Sequence, residues 1–157
     1  MDLLALASPG GRAVATPVLA SARQGSPWAY GSAFTRAMSL AIDGVTTTLL
    51  SGTSSIAPGG ETLHPLEPEA QVLETLLSIG ALLEPAAGLP ELASGTLFYR
   101  SAEALAAYER TARLLRLPAL PLVPVHADVC REDLTVEIDG IVLPGSNPRG
   151  MQGMNDG

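Results

Sequence analysis

Two runs of apolar residues at helical spacing most constrain what this chain can fold into. Val72, Leu76, Ile79 and Leu83 recur three or four residues apart, and so do Leu105, Tyr108, Ala112 and Leu115. Each run predicts an amphipathic helix that turns one face to a core. The first opens at Pro68, which suits a first turn. Glu67 and Glu69 flank it at the positive end of the helix dipole, and Gly88 lies past the helix end. Ser101 can cap the second. Arg110, Arg113 and Arg116 crowd its C-terminal half, where cations favour the dipole, so we read them as structural.

The remaining apolar segments read as strands. Leu3 to Ala7 predicts a short buried strand, and Arg12 to Leu19 a second one whose Pro17 belongs at a sheet edge. Phe34 to Ile42 and Val45 to Ser51 form a hairpin around Asp43-Gly44, a dipeptide suited to a tight primed turn. Ala93 to Tyr99, Leu120 to Ala127 and Leu134 to Leu143 complete the set. Two polar stretches, Ser21 to Gly31 and Gly52 to Gly60, read as loops. The order of strands, helix, strand, helix, strand, strand predicts a two-layer α+β domain. Its mixed sheet would carry both helices on one face. We expect a single domain over residues 1–143, with 1–33 as N-terminal strands and loop. Residues 144–157, which lack apolar periodicity, are expected to be a mobile tail.

Composition narrows the chemistry. The 157 residues are 46% hydrophobic and 16% charged, enough apolar surface for one folded core. All nine basic residues are arginine, which removes Schiff-base chemistry on a lysine. The net charge of −7 and the scattered arginines argue against a nucleic-acid surface. A lone cysteine excludes an internal disulfide framework, and His64 and His126 stand in no ligand-like spacing, so neither a metal nor a cofactor is expected. Asp2 stands where an export signal needs positive charge, and the run behind it is too short to span a membrane. The expectation is a cytoplasmic protein with no membrane partner.

The stretch VHADVCREDLTVEIDGIV, Val125 to Val142, holds the chemistry. Alternation places Leu134, Val136 and Ile138 on one side of a strand and Thr135, Glu137 and Asp139 on the other. A carboxylate on a strand, with Cys130 and Arg131 just upstream, suits the rigid wall of a small-molecule site. Glu137 could serve there as a general acid if partial burial raises its pKa; otherwise it is a solvated sheet residue. Cys130, with no base near it in sequence, is better suited to shaping a pocket than to nucleophilic attack. Arg131 could meet a substrate carboxylate or pair with Glu132 or Asp133, and Arg100 could do the same or pair with Glu103. Gly52 and Thr53 could offer a backbone and a hydroxyl donor, or Ser51 to Ser55 could be a simple turn. His64 and Arg36 read as structural, and Gly59-Gly60 lacks the pattern of a phosphate loop.

The order of elements carries SGTSSI at Ser51–Ile56, His64, QVLETLLSIGALL from Gln71 and VEIDGIV at the end. In these residues the chain resembles the Rid/YjgF superfamily over roughly residues 34–143. That likeness implies a YjgF/chorismate-mutase-like fold, a homotrimer and ligand clefts between subunits. FTRA at Phe34–Ala37, SGTSS, ETL at Glu74–Leu76, and DVCR before VEI resemble the C-terminal half of the chorismatases. By that resemblance Glu137 matches the catalytic acid and Cys130 a pocket residue. The chorismatases' additional N-terminal half has no counterpart here. The Rid imine deaminases place a ligand-binding arginine fifteen residues before the matching glutamate, where this chain has Leu122. Three readings stay open: a chorismatase-like hydrolase or lyase on an enol ether, a Rid-type enamine or imine deaminase, and a non-catalytic trimer binding a small carboxylate.

Overall fold

The computed structural model describes residues 7, 10–83 and 91–144. The expected strand over residues 3–7, Gly88 and the tail from residue 145 therefore lie outside the described residues, Ala7 excepted. The elements run β1 (Ala13–Val18), β2 (Ala37–Ile42), β3 (Val45–Thr53), α1 (Pro68–Leu83), β4 (Glu91–Tyr99), α2 (Ala102–Leu114), β5 (Leu122–His126) and β6 (Val136–Leu143). A short 3-10 turn, Pro27–Tyr30, interrupts the first loop.

These strands form one sheet in the order β1-β2-β3-β6-β4-β5. The last strand in sequence is therefore a central one, antiparallel to β3 on one side and to β4 on the other. β3 and β4 thus run parallel, joined through α1, and β4 runs parallel to β5, joined through α2. Both crossovers travel the same way across the sheet, and the preference for right-handed crossovers then puts both helices on one face. The protein is the expected two-layer α+β domain.

Local signals explain the element ends. Asp43 and Gly44 both take positive φ, 48° and 84°, the pair of left-handed residues that a type I′ turn needs. Ser101 accepts a hydrogen bond from Ala104 N at 3.1 Å and caps α2. Pro17 sits in β1, an edge strand, where a missing donor costs least.

The core fills the space between the layers. Val72, Leu97, Ala104, Ala107, Val136 and Ile138 are buried together, with Leu76, Ile79, Leu105 and Tyr108 against them. A second cluster joins Ala37, Leu50, Leu82 and Val142. Leu115, expected on the apolar face of α2, instead lies at its C-cap and is exposed, because the helix closes one residue earlier. Arg110 pairs with Glu69 across the two helices.

Among the described residues, much of the opposite sheet face is left open. Val123, Val125, Ile141 and Leu143 point there at 36–63% exposure. Leu49, which shares the face, is half-buried. Side chains exposed to this partial extent forgo roughly half of the 1.5–3 kcal/mol each that full burial is worth. Among the described residues no helix is long and apolar enough to cross a membrane.

Candidate functional site

Glu137 lies on this uncovered face, near one end of the central strand. Its neighbours Val136 and Ile138 turn inward and are buried, so strand alternation turns Glu137 away from the helices. Phe98 stands opposite it on β4. On the other side runs β3, where the ladder slips between Leu50 and Thr53. That bulge brings Gly52 against the glutamate: a Cβ on Gly52 would lie 2.6 Å from Glu137 Cδ. The carboxyl group occupies the volume that a side chain there would need. Burial raises its pKa above the ordinary carboxylate value, and the Asp139 charge on the same strand face adds to the rise. The nearby Ser54 hydroxyl works the other way. In this arrangement Ser54 donates its proton to Val136 O at 2.8 Å.

The loop before β6 brings Cys130 and Arg131 to the same place. The Cys130 thiol is on the surface of the single chain. Desolvation by the surrounding chain and then the Glu137 charge nevertheless raise its pKa, and Arg131 only partly offsets them. A thiol held protonated suits a lining group and not a nucleophile. Arg131 makes no ion pair with Glu132 or Asp133; its Nη1 donates to Gly60 O at 2.5 Å.

Two expected site residues stand elsewhere. Thr53 is not in a loop: β3 runs through it, opposite Ile138, and it is fully buried. Its hydroxyl donates to Ser51 O at 3.0 Å, so it cannot present a donor to a ligand on the far face. β3 ends at Thr53, and beyond it Ser54 and Ser55 donate to the carbonyls of Val136 and Leu63. Arg100 turns to the loop as a brace, donating from Nη1 to Arg131 O at 3.4 Å and to Glu132 O, and pairing with Asp128. Its partner is Asp128, not Glu103. Thr135 likewise leaves the Glu137 side, because the strand begins one residue after it.

Thr135 is held instead by Gln71, a residue that sequence reasoning passed over. Gln71 is fully buried in the first turns of α1. Its Nε2 donates to His64 O at 2.9 Å and to Asp133 O at 2.7 Å. Its Oε1 accepts from Thr135 N at 2.7 Å and from Thr135 Oγ1 at 3.0 Å. One side chain therefore ties the Cys130–Arg131 loop to the turn at His64 and Leu66, both in the left-handed region.

Arg36 was also read as structural, and it too sits beside the site. It is 2% exposed, directly across from Ser51, whose N–H donates to Arg36 O at 3.1 Å. Two open hollows, of about 570 and 390 Å³, lie apart from all of this, beside α2 and β5. Among the described residues no group of acidic, histidine or cysteine side chains could hold a metal ion.

No family model matches the sequence, and no curated protein matches it. Solved structures do. A chorismatase superimposes with a TM-score of 0.67 at 24% identity, covering 82% of this chain and 44% of that one. The YjgF gene product of E. coli gives 0.62 at 17% identity, covering 82% and 98%. A Rid-family protein of Yersinia pestis gives 0.61 at 16%, covering 84% and 100%. The chain has the Rid/YjgF fold. It spans less than half the length of the chorismatase and nearly the whole of the two smaller proteins. At these identities the likeness speaks for the Rid/YjgF fold, and the chemistry must come from the residues.

Proposed function

We propose that this protein is a homotrimer whose intersubunit clefts bind a small carboxylated metabolite, and that Glu137 acts there as a general acid on an enol ether, as in a chorismatase. The observation that carries the reading is the Glu137 carboxyl itself. It is half-buried on the uncovered face, packed on Gly52, with a pKa raised by burial. Such an acid keeps its proton closer to neutral pH than a solvated one, which is what protonating a carbon requires. Glu137 gives that proton to the alkene carbon of the enol ether, and water adds to the resulting oxocarbenium ion. The proton released from water returns to Glu137. Collapse of the hemiketal yields a ketone and an alcohol, so the net reaction consumes one water.

Three copies packing their bare sheet faces would cover Val123, Val125 and Ile141, and would close a cleft around Glu137. Enamine deamination of the Rid type is the second reading. Leu122 speaks against it: where that chemistry places an arginine, this side chain packs against the Val72–Leu97 core. A trimer that binds without turnover is the third.

Incubation with chorismate, and separately with freshly generated 2-aminoacrylate, tests the choice. The wild type should release product from chorismate, and Glu137→Gln should be slower by about 10²–10⁴-fold. Equal rates in the two proteins would remove Glu137 from the mechanism, and turnover of 2-aminoacrylate alone would favour the second reading. Light scattering should return about three times the 16.1 kDa chain mass; a monomer at micromolar concentration would sink the shared cleft.

A further inference from the structure

The chain leaves α2 through a Schellman motif that carries an arginine where glycine is favoured. Leu117 N donates to Ala112 O at 3.0 Å and Arg116 N to Arg113 O at 3.1 Å, the two closing bonds of that motif. Arg116 takes the left-handed position between them, with φ of 53°. Glycine fills such a position without strain, whereas a Cβ there crowds the following carbonyl. The helix dipole favours a cation in the last turn, but Arg113 already supplies one. Of the other non-glycine residues with positive φ, Asp43 serves the hairpin turn, and His64 and Leu66 belong to the turn that Gln71 ties down. Arg116 has no such structural account, and its strain calls for a role for the side chain.

Arg116 lines the larger hollow, about 570 Å³, between the flank of α2 and the segment that leads into β5. That is the size of a small-ligand site. Ala112, Leu117, Pro118 and Leu120 give the hollow an apolar wall, and Arg113 lines it as well. Arg12, Arg23, Arg100 and Arg110 each meet a carboxylate. The guanidiniums of Arg113 and Arg116 make neither a hydrogen bond nor an ion pair among the described residues. Tyr108 completes the lining; its hydroxyl also has no hydrogen-bond partner there, and burial raises its pKa, which keeps the donor protonated. Glu109 is the one carboxylate of the lining, so the wall carries two positive charges and one negative. The hollow lies on the helix side of the sheet, and Glu137 turns to the other side.

We propose that this hollow is a binding site of its own, for a small organic monoanion with an apolar ring body, and that Arg113 and Arg116 hold the charged group. The surplus of one positive charge matches a single negative charge. The ring lies on the apolar wall, and the planar forks of the two arginines take the anion. The site is independent of the reaction proposed for Glu137.

Isothermal titration of the full chain with sodium 2-naphthoate, against uncharged 2-naphthamide, reads the site directly. Naphthoate should bind, naphthamide should bind at least tenfold more weakly, and added salt should narrow the gap. Arg113→Ala should weaken naphthoate about threefold to tenfold, the loss expected for a charge-assisted contact at a partly exposed site. Glu109→Gln should tighten naphthoate, because it removes a like charge. Arg116→Gly should weaken naphthoate by a factor similar to that of Arg113→Ala and at the same time raise the thermal midpoint, since glycine relieves the left-handed strain. A gain in stability beside a loss of binding is a result that a merely structural arginine would not give. Unchanged naphthoate affinity in either arginine variant, equal binding of naphthamide, or no naphthoate binding by the wild type would overturn the site. A smaller assembly mass in either variant with naphthoate affinity intact would overturn it too, since the arginines would then face a neighbouring subunit.

Discussion

Replacing Gln71 by methionine should cost this protein about 3–5 kcal/mol, a large share of the 5–15 kcal/mol typical of a domain. The four hydrogen bonds of Gln71 are not equivalent. His64 O also accepts from Glu67 N at 3.0 Å, and Asp133 O also accepts from Leu66 N at 3.2 Å, so both carbonyls keep a partner. Each of those two lost bonds costs about 0.5–1.5 kcal/mol. Thr135 N–H loses the acceptor that its short 2.7 Å bond records, and an unpaired buried donor costs about 1–3 kcal/mol. The Thr135 hydroxyl loses its acceptor as well. Methionine preserves the side-chain volume, so the loss reports polar contacts and not a cavity; Gln71→Ala should cost more by the cavity it adds. Urea titrations followed by circular dichroism, at one fixed protein concentration because assembly shifts apparent stability, give the midpoints. Hydrogen exchange at the Thr135 amide should accelerate in parallel. A loss below about 1 kcal/mol in Gln71→Met would refute the idea that one glutamine holds the Cys130–Arg131 loop to the helix.

Two further outcomes follow from the packing of Glu137. Gly52→Ala should destabilise by about 1–3 kcal/mol through overpacking, and adding Glu137→Ala should recover most of the loss, because the new methyl group would occupy the space of the carboxylate. Additive losses in the double variant would place the strain elsewhere. The raised Glu137 pKa means that the folded state holds this proton more tightly than the unfolded chain does. The contribution of Glu137 to stability is then fully present below the ordinary carboxylate pKa and is lost as pH rises through the folded value. Glu137→Gln should therefore be more stable than wild type near pH 7 and lose that advantage under acid; thermal melts at pH 4 and pH 7 that show equal differences would contradict the shift.

What the sequence determined by itself is what short-range physics decides. The Asp43-Gly44 hairpin, the Ser101 cap, the core-facing sides of both helices (Leu115 excepted) and the outward turn of Glu137 depend on residues within a turn or a strand period of one another. The placement of Val123 on the bare face and of Leu97, Val136 and Ile138 on the helix face followed once the sheet order was known, since alternation leaves only two choices. The roles of Gln71, Arg36, Arg100 and Thr53 belonged to the tertiary structure alone. Gln71 meets Thr135 across 64 residues and Arg100 meets the Arg131 carbonyl across 31. Thr53 turned inward because a one-residue slip against β6 reversed its face. Arg36 looked like one arginine among nine until folding buried it with no carboxylate against it among the described residues. A side chain's type says which bonds it can make, but whether a partner or a counter-charge stands there is set by segments that only the folded sheet brings together.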